Sequence, residues 1–334
     1  MNTPSPPGTV LVLGATGRLG RHAAHAFDAA GWRVRTFGRR APGPDVPGAH
    51  GTGDVLDGRA LGAAATGADV LVNALNPPYG RWRHEVAALT EAAVGAARTS
   101  GATVMLPGNV YGFGRAMPRR LLPDTPDAPS NELGRIRSAL ETRYREAARE
   151  GVRTIVVRAG SFLEGIRSGN WFEDHMVARI DAGRVMYPGP LDRTHAWAWL
   201  PDLGRAFAAL AACRDALEPF HVVGFPGWAL TGRELVDALE AVVGRPLRVG
   251  RMPWPLVRLA APLSPDMRGV LAMRYLWERP HAIDGAELER LLPDFRAVSA
   301  RAGLREALDR LGVDVRGGCG PTLRSRARRV RSAR

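Results

Sequence analysis

Thr9-Val10-Leu11-Val12-Leu13 is an almost continuously apolar, β-branched run, and such a run predicts a strand buried on both faces. It breaks at once into Gly14-Ala15-Thr16-Gly17-Arg18-Leu19-Gly20, after which Ala23, Ala24, Phe27 and Ala30 recur at near-helical spacing until Gly31. A strand, a tight turn and a helix follow from that order. The alternation then repeats: a strand over Trp32 to Phe37, a loop at Gly53-Asp54-Val55, a helix from about Gly58 to Thr66 and a strand over Asp69 to Asn73. Next come a long helix over Tyr79 to Ser100, a strand over Ala102 to Leu106, a polar-faced helix over Asn131 to Glu150 and a strand over Arg153 to Val157. Strands alternating with helices predict an α/β fold, a Rossmann-type doubly wound parallel sheet covered on both faces.

Beyond Arg158 the rhythm changes. Trp171, Phe172, His175, Met186, Tyr187, His195, Trp197 and Trp199 crowd between Pro and Gly turns. A helix opens at Pro201-Asp202-Leu203, Phe220 to Val223 reads as the last strand, and helices begin near Thr231, Pro255, Pro265, Asp284 and Arg296. The expected organisation is therefore a dinucleotide-binding unit over residues 1–165, rejoined by 198–226. A smaller, mainly helical C-terminal substrate lobe covers 166–197 and 227–315, and a basic tail covers 316–334.

Composition narrows the class. Of 334 residues, 45% are apolar and 24% charged, an ordinary globular balance. The net charge of +13 comes from 46 basic residues, every one of them Arg, so the chain contains no Lys at all. Seven Arg lie in Arg316–Arg334, where there is no acid, leaving a mildly basic body of 39 basic against 33 acidic residues. Nucleic-acid contact would therefore fall to the tail alone, and it is not expected as the main role. The two cysteines, Cys213 and Cys319, lack ligand spacing for a metal. No apolar run is long enough to span a bilayer, and the start carries no signal-peptide pattern. A cytoplasmic protein with no membrane partner is the expectation.

Gly14, Gly17 and Gly20 sit where a pyrophosphate turn needs them: one for the turn, one for close approach, one for packing the helix on the strand. Thr16, Arg18 and Leu19 complete that loop, and Asn73-Ala74-Leu75 end the strand expected beside it. Where an NAD site would present an acid to the ribose diol, the chain reads Arg39-Arg40, a guanidinium pair suited to a 2′-phosphate. NADP(H) is thus the expected cofactor, with NAD(H) as the alternative. Asp54 is a candidate acceptor for the adenine amino group with Val55 against the ring; a plain turn carboxylate is the competing reading.

These residues, together with Gly53-Asp54-Val55-Leu56-Asp57, Asn109-Val110-Tyr111-Gly112, Arg158-Ala159-Gly160-Ser161-Phe162 and Leu200-Pro201-Asp202-Leu203, resemble the short-chain dehydrogenase/reductase superfamily. The likeness covers roughly residues 8 to 312 and points to the extended and atypical branch of NAD-dependent epimerase/dehydratase-like proteins. It implies a Tyr four residues before a Lys on the helix after the fifth strand, with a Ser or Thr at the strand end. Placing Glu141 on the family's acidic position instead puts Arg137 at the Lys and Leu133 at the Tyr, while Gly108-Asn109 replaces the Ser pair. A leucine carries no proton. Tyr111 is the substitute candidate, with Asn109 to bond a carbonyl oxygen and Arg137 to reach ribose hydroxyls; the competing reading has Tyr111 only packing its loop. His84, His175 and His195 are further candidates because imidazole titrates near neutrality, with a structural or solvent-facing histidine as the competing reading of each. Tyr79, Trp82, Trp171 and His195 are candidate substrate contacts; a lobe simply packed with large side chains is the competing reading of the aromatic cluster. A hydride-transferring or epimerising enzyme on a small carbonyl or hydroxyl compound follows, and the missing Tyr keeps a non-catalytic dinucleotide sensor as its rival. A homodimer through the long helices is implied by the resemblance alone.

Overall fold

Alternate residues of the first strand face opposite layers of helices, which is why the run is apolar without interruption. In the computed structural model, which describes residues 7–315, β1 (Thr9–Leu13), β2 (Arg33–Gly38), β3 (Ala49–Thr52), β4 (Val70–Asn73), β5 (Thr103–Gly108), β6 (Thr154–Arg158) and β7 (Phe220–Gly224) form one parallel sheet. Its order is β7-β6-β5-β4-β1-β2-β3. Leu11, Leu13, Leu71, Val104, Leu106 and Val156 point to one face, against α2 (Gly58–Ala65), α3 (Trp82–Ser100) and α4 (Glu132–Arg149). Val10, Val12, Val70, Val72, Met105, Ile155 and Val157 point to the other, against α1 (Arg18–Ala29) and α5 (Leu200–Ala212). Chain direction across the sheet reverses between β1 and β4, and the crevice at the carboxyl ends of those strands is where such folds bind ligands.

After β6 the chain leaves the sheet and returns to it through α5 and β7. Outside the central sheet lie strands that the apolar pattern does not announce. Ser161–Leu163, Thr194–Trp199 and Trp228–Thr231 form a three-stranded sheet, Arg184–Tyr187 pairs with Arg248–Arg251, and Arg120–Leu121 pairs with Ala282–Ile283. Phe220–Gly224 is therefore not the last strand. These strands are two to six residues long and pair across distant sequence, so local periodicity carries no trace of them.

The helices that follow are α6 (Gly232–Val243), α7 (Trp254–Ala260), α8 (Pro265–Ala272), α9 (Tyr275–Glu278), α10 (Ala286–Leu291) and α11 (Ala300–Arg310). Thr231 and Glu234 close a capping box at the start of α6, and the Ser299 hydroxyl caps α11. The Arg-rich segment 316–334, with Cys319, lies outside the described residues. Among the described residues no helix is long and apolar enough to cross a membrane, and no cluster of ligating side chains could hold a metal ion.

Candidate functional site

The glycine turn is shaped by what a side chain would strike. Gly14 has φ 80°, and a Cβ there would lie 2.8 Å from the Ala74 carbonyl oxygen; a Cβ on Gly20 would lie 2.2 Å from the Gly14 oxygen. Both positions are closed to any larger residue. Gly17 differs, because its Cβ would meet only the Gly14 oxygen, at 3.1 Å, and otherwise open space. Gly17 is also the N-cap of α1, with no side-chain cap and no acid in the first turn, while Leu19 is buried beneath. The first amides of α1 thus face the crevice uncapped beside an open backbone, the arrangement that stabilises a pyrophosphate. Thr16 is exposed on the turn. Ala74 and Leu75 run against Gly14, and Asn73 holds them there: it donates to the Tyr144 hydroxyl at 2.8 Å and accepts from the Leu75 amide at 3.3 Å. Asn73 is therefore a strut of the turn, with both ends of its amide engaged.

Beside the turn lies a cavity of about 400 Å³ lined by Thr16, Arg21, Arg40 and Asp45 among others. Arg40 reaches it; Arg39, exposed, is not part of the lining. Arg21, one turn into α1, and Asp45 were not singled out from the sequence. Arg21 is committed to Glu164, a fully buried carboxylate at 2.8 Å that also bonds His22 at 3.0 Å and accepts from the Ser168 hydroxyl at 2.6 Å. Burial pushes the Glu164 carboxyl up, but these hydrogen bonds and the Arg21 charge outweigh it and hold the pKa at about 2. Arg18 joins the same strap by donating to the Ser168 carbonyl at 2.6 Å and to its hydroxyl at 3.1 Å. Asp54 accepts the Leu56 amide at 3.0 Å in a local turn, and Val55 packs on the core.

The chemistry-bearing corner lies at the end of β5. The Tyr111 and Tyr79 hydroxyls are 2.7 Å apart, and Trp82 stacks on the Tyr111 ring with centroids 6.1 Å apart. The Tyr111 amide donates to Asn109 Oδ1 at 3.0 Å, and the Tyr275 hydroxyl donates to the Tyr111 carbonyl at 3.3 Å. Asn109 is thereby turned back into its own loop through Oδ1. Burial pushes the Tyr111 phenol above its ordinary value; the Tyr79 hydrogen bond and the charges of Arg137 and Arg18 pull it down without prevailing. Arg137 reaches from α4 to donate to the Pro107 carbonyl, and its buried Nε has no partner among the described residues. Leu133 is buried in the core. One turn beyond Arg137, Glu141 forms a buried fork with Arg158 at 2.7 and 3.2 Å, and Arg158 also donates to the Asn109 carbonyl at 2.7 Å.

On the lobe side, Trp171 is half-buried and packs its ring near Trp254, Trp277 and His175. Two expected substrate contacts are corrected here. Trp82 is 3% exposed with its indole N–H donated to the Pro77 carbonyl, so it backs the Tyr111 ring from inside the core. His195 is 2% exposed, stacked on Trp277, and shares a hydrogen bond of 2.8 Å with the Ser161 hydroxyl. Burial and neighbouring His281 hold its pKa well below the ordinary imidazole value, so it stays neutral and walled in. His84 and His175 are exposed.

The profile of the NAD dependent epimerase/dehydratase family matches residues 10–223. The chain belongs to that family. A dTDP-6-deoxy-L-talose 4-dehydrogenase (NAD(P)+) of Kitasatospora kifunensis is 28% identical over 267 residues, covering 75% of this chain and 83% of that protein. Among solved structures, UDP-glucose 4-epimerase from Brucella ovis in complex with NAD superposes with a TM-score of 0.71 at 17% identity, over 92% of this chain and all of the other. A putative epimerase from Burkholderia cenocepacia gives 0.73 at 18% identity, over 93% and 100%. At such identity the likeness is one of fold. Within this epimerase/dehydratase fold, sequence reasoning missed Tyr144, Arg158, Arg21 and Asp45. An Arg placed at the end of a buried strand and a Glu on the buried side of a helix were the available signal for the Arg158–Glu141 pair.

Proposed function

We propose that this protein is an NAD(P)-dependent oxidoreductase or epimerase acting at a carbon that bears a hydroxyl or carbonyl group, with Tyr111 as the proton-exchanging residue. The uncapped α1 amides, the open backbone at Gly17 and the Arg40 cavity fit a dinucleotide. When bound, such a cofactor accepts or supplies hydride at its nicotinamide ring. The chain's own part is to position substrate and to handle the proton.

One observation carries the reading: the Tyr111 hydroxyl stands at the strand-end crevice within 2.7 Å of a second hydroxyl, beside the fixed charges of Arg137 and Arg18. In the reducing direction Tyr111 gives its proton to the substrate oxygen. Arg137 and Arg18 stabilise the phenolate that develops, the Tyr79 hydroxyl donates a hydrogen bond to it, and Tyr111 regains its proton from solvent once product leaves. Because burial keeps Tyr111 protonated at neutral pH, it is set up as the acid of a reduction. The lobe over residues 166–197 and 227–315 supplies Trp171 to the substrate's far side. The curated relative's name supports an activated deoxysugar as the substrate class.

The direct test is NADPH consumption across aldehydes, ketones and nucleotide-linked keto-sugars. Turnover of one class is expected, and Gly17→Asp, which sets a carboxylate in the pyrophosphate turn, should abolish it. Leu133 and Arg137 in place of the family's Tyr and Lys favour a second reading, a non-catalytic dinucleotide sensor. Tight NADPH binding with no turnover of any compound would put that reading first.

Cofactor choice has its own prediction. Arg40→Ala should weaken NADPH roughly tenfold or more, the loss of a charge-assisted hydrogen bond worth about 1.5–3 kcal/mol, while leaving NADH nearly unchanged. Parallel titrations of the two reduced cofactors check it. Equal weakening of both would remove Arg40 from 2′-phosphate recognition and leave Asp45 as the residue facing the ribose.

A further inference from the structure

The outer face of α7 and the turn after it is apolar and uncovered. Leu256, Leu259 and Leu263 are 64%, 75% and 90% exposed, the three most exposed large apolar side chains among the described residues. Their spacing of three and four places them along one side of the segment. Val257 points inward and is buried, and Trp254 is fixed from within by donating to the Pro188 carbonyl at 2.8 Å, so the segment is held rigidly by its inner face. Lone exposed leucines are ordinary; three on one short rigid segment form a patch that calls for a partner.

Charge selects the partner. Residues 241–265 contain four Arg and no Asp or Glu. Arg251 and Arg258 are exposed within this stretch, and Arg268 is held next to Leu263 by donating to the Ala261 and Pro262 carbonyls at 3.3 and 3.1 Å. The acids on the adjoining helices are engaged: Asp266 accepts the Gly80 amide at 2.9 Å, and Glu278 pairs with Arg274 at 2.9 Å. A second copy docking through a two-fold axis would bring this cationic rim against itself. A surface that takes leucine side chains into hydrocarbon and meets neighbouring guanidinium groups with negative head groups is an anionic bilayer.

We propose that the Leu256–Leu263 face is a peripheral docking site for anionic phospholipid membranes. This differs from spanning a bilayer, which no described helix can do, and it stands apart from the hydride chemistry. Helix α8, packed against α7, touches the crevice, where a Cβ on Gly269 would lie 2.7 Å from Tyr79. Docking would therefore hold the crevice next to the membrane surface.

The test is co-sedimentation of the full chain with phosphatidylserine–phosphatidylcholine vesicles and with phosphatidylcholine vesicles alone. The wild type should partition onto the anionic vesicles only. The Leu259→Ser/Leu263→Ser double variant should bind them roughly tenfold more weakly or worse, since two leucine side chains no longer enter hydrocarbon. Both proteins keep the Arg-rich stretch 316–334, so its attraction cancels in the comparison. Thermal melting of the double variant should match the wild type because both side chains face solvent. No binding by the wild type, equal binding by both proteins, or equal binding to neutral vesicles would overturn the proposal. So would a wild-type dimer, seen by sedimentation velocity, that the same substitutions dissolve, which would assign the face to a second copy.

Discussion

Glu141→Ala should destabilise the fold by about 3–5 kcal/mol, the penalty for stranding one member of a buried ion pair. The Arg158 and Glu141 side chains are only 6% and 8% exposed, and without the carboxylate the guanidinium keeps just the Asn109 carbonyl, its Nε already having no partner. Water does not reach the gap easily, because Phe113 lies under the Arg158 guanidinium at 4.9 Å. The midpoint of urea unfolding reads the loss. The double variant Glu141→Leu/Arg158→Met separates charge from shape: replacing both partners by apolar side chains of similar size should recover most of the stability. If the double variant is as unstable as the single one, the pair acts through its exact geometry between α4 and β6, and the stranded charge is not the cause.

Tyr111→Phe should lower kcat by about 10²–10⁴, the usual contribution of one positioned acid or base, with KM little changed. Stability should hardly move, because the ring remains stacked on Trp82 and only one exchangeable hydrogen bond, to Tyr79, is lost. Tyr79→Phe breaks the same hydrogen bond from its other end and should cost only a few-fold. That asymmetry distinguishes the proton donor from the hydroxyl that only hydrogen-bonds it. The pH profile adds a sign: with the Tyr111 pKa raised, its proton is in place through neutrality, and the reducing activity should fall only as pH climbs past the ordinary phenol value. Unchanged turnover in Tyr111→Phe would remove Tyr111 from the chemistry and return the residue to loop packing.

The glycine turn was legible because strand, turn and helix are contiguous in sequence, and each glycine answers to a clash within a few residues or with the neighbouring strand end. β3 was hard to place because Ala49–Thr52 is nearly all solvent-facing and carries no apolar signal. The three-stranded sheet went unread because its order is set by pairings such as Trp197 with both Ser161 and Trp228, which no local period encodes. His195 illustrates a different limit: residue type names a titratable group, while burial under Trp277 decides that it does not titrate. Tyr79 and Tyr111 were each visible as candidates, but the bond between their hydroxyls joins residues 32 apart in sequence, and the α8 helix that packs Gly269 close to Tyr79 comes from far along the chain.

The late return of the chain to β7 has a consequence for synthesis on the ribosome. β6 is buried on both faces, and its outer edge is paired only by Phe220–Gly224, in register from Thr154 with Phe220 to Arg158 with Gly224. Residues 159–219 must be made before that partner exists. Until then Thr-Ile-Val-Val-Arg presents an open, β-branched edge of the kind that recruits strands from other chains. Newly made N-terminal segments are thus exposed to aggregation during a defined window, and fragments ending before residue 220 inherit that hazard permanently.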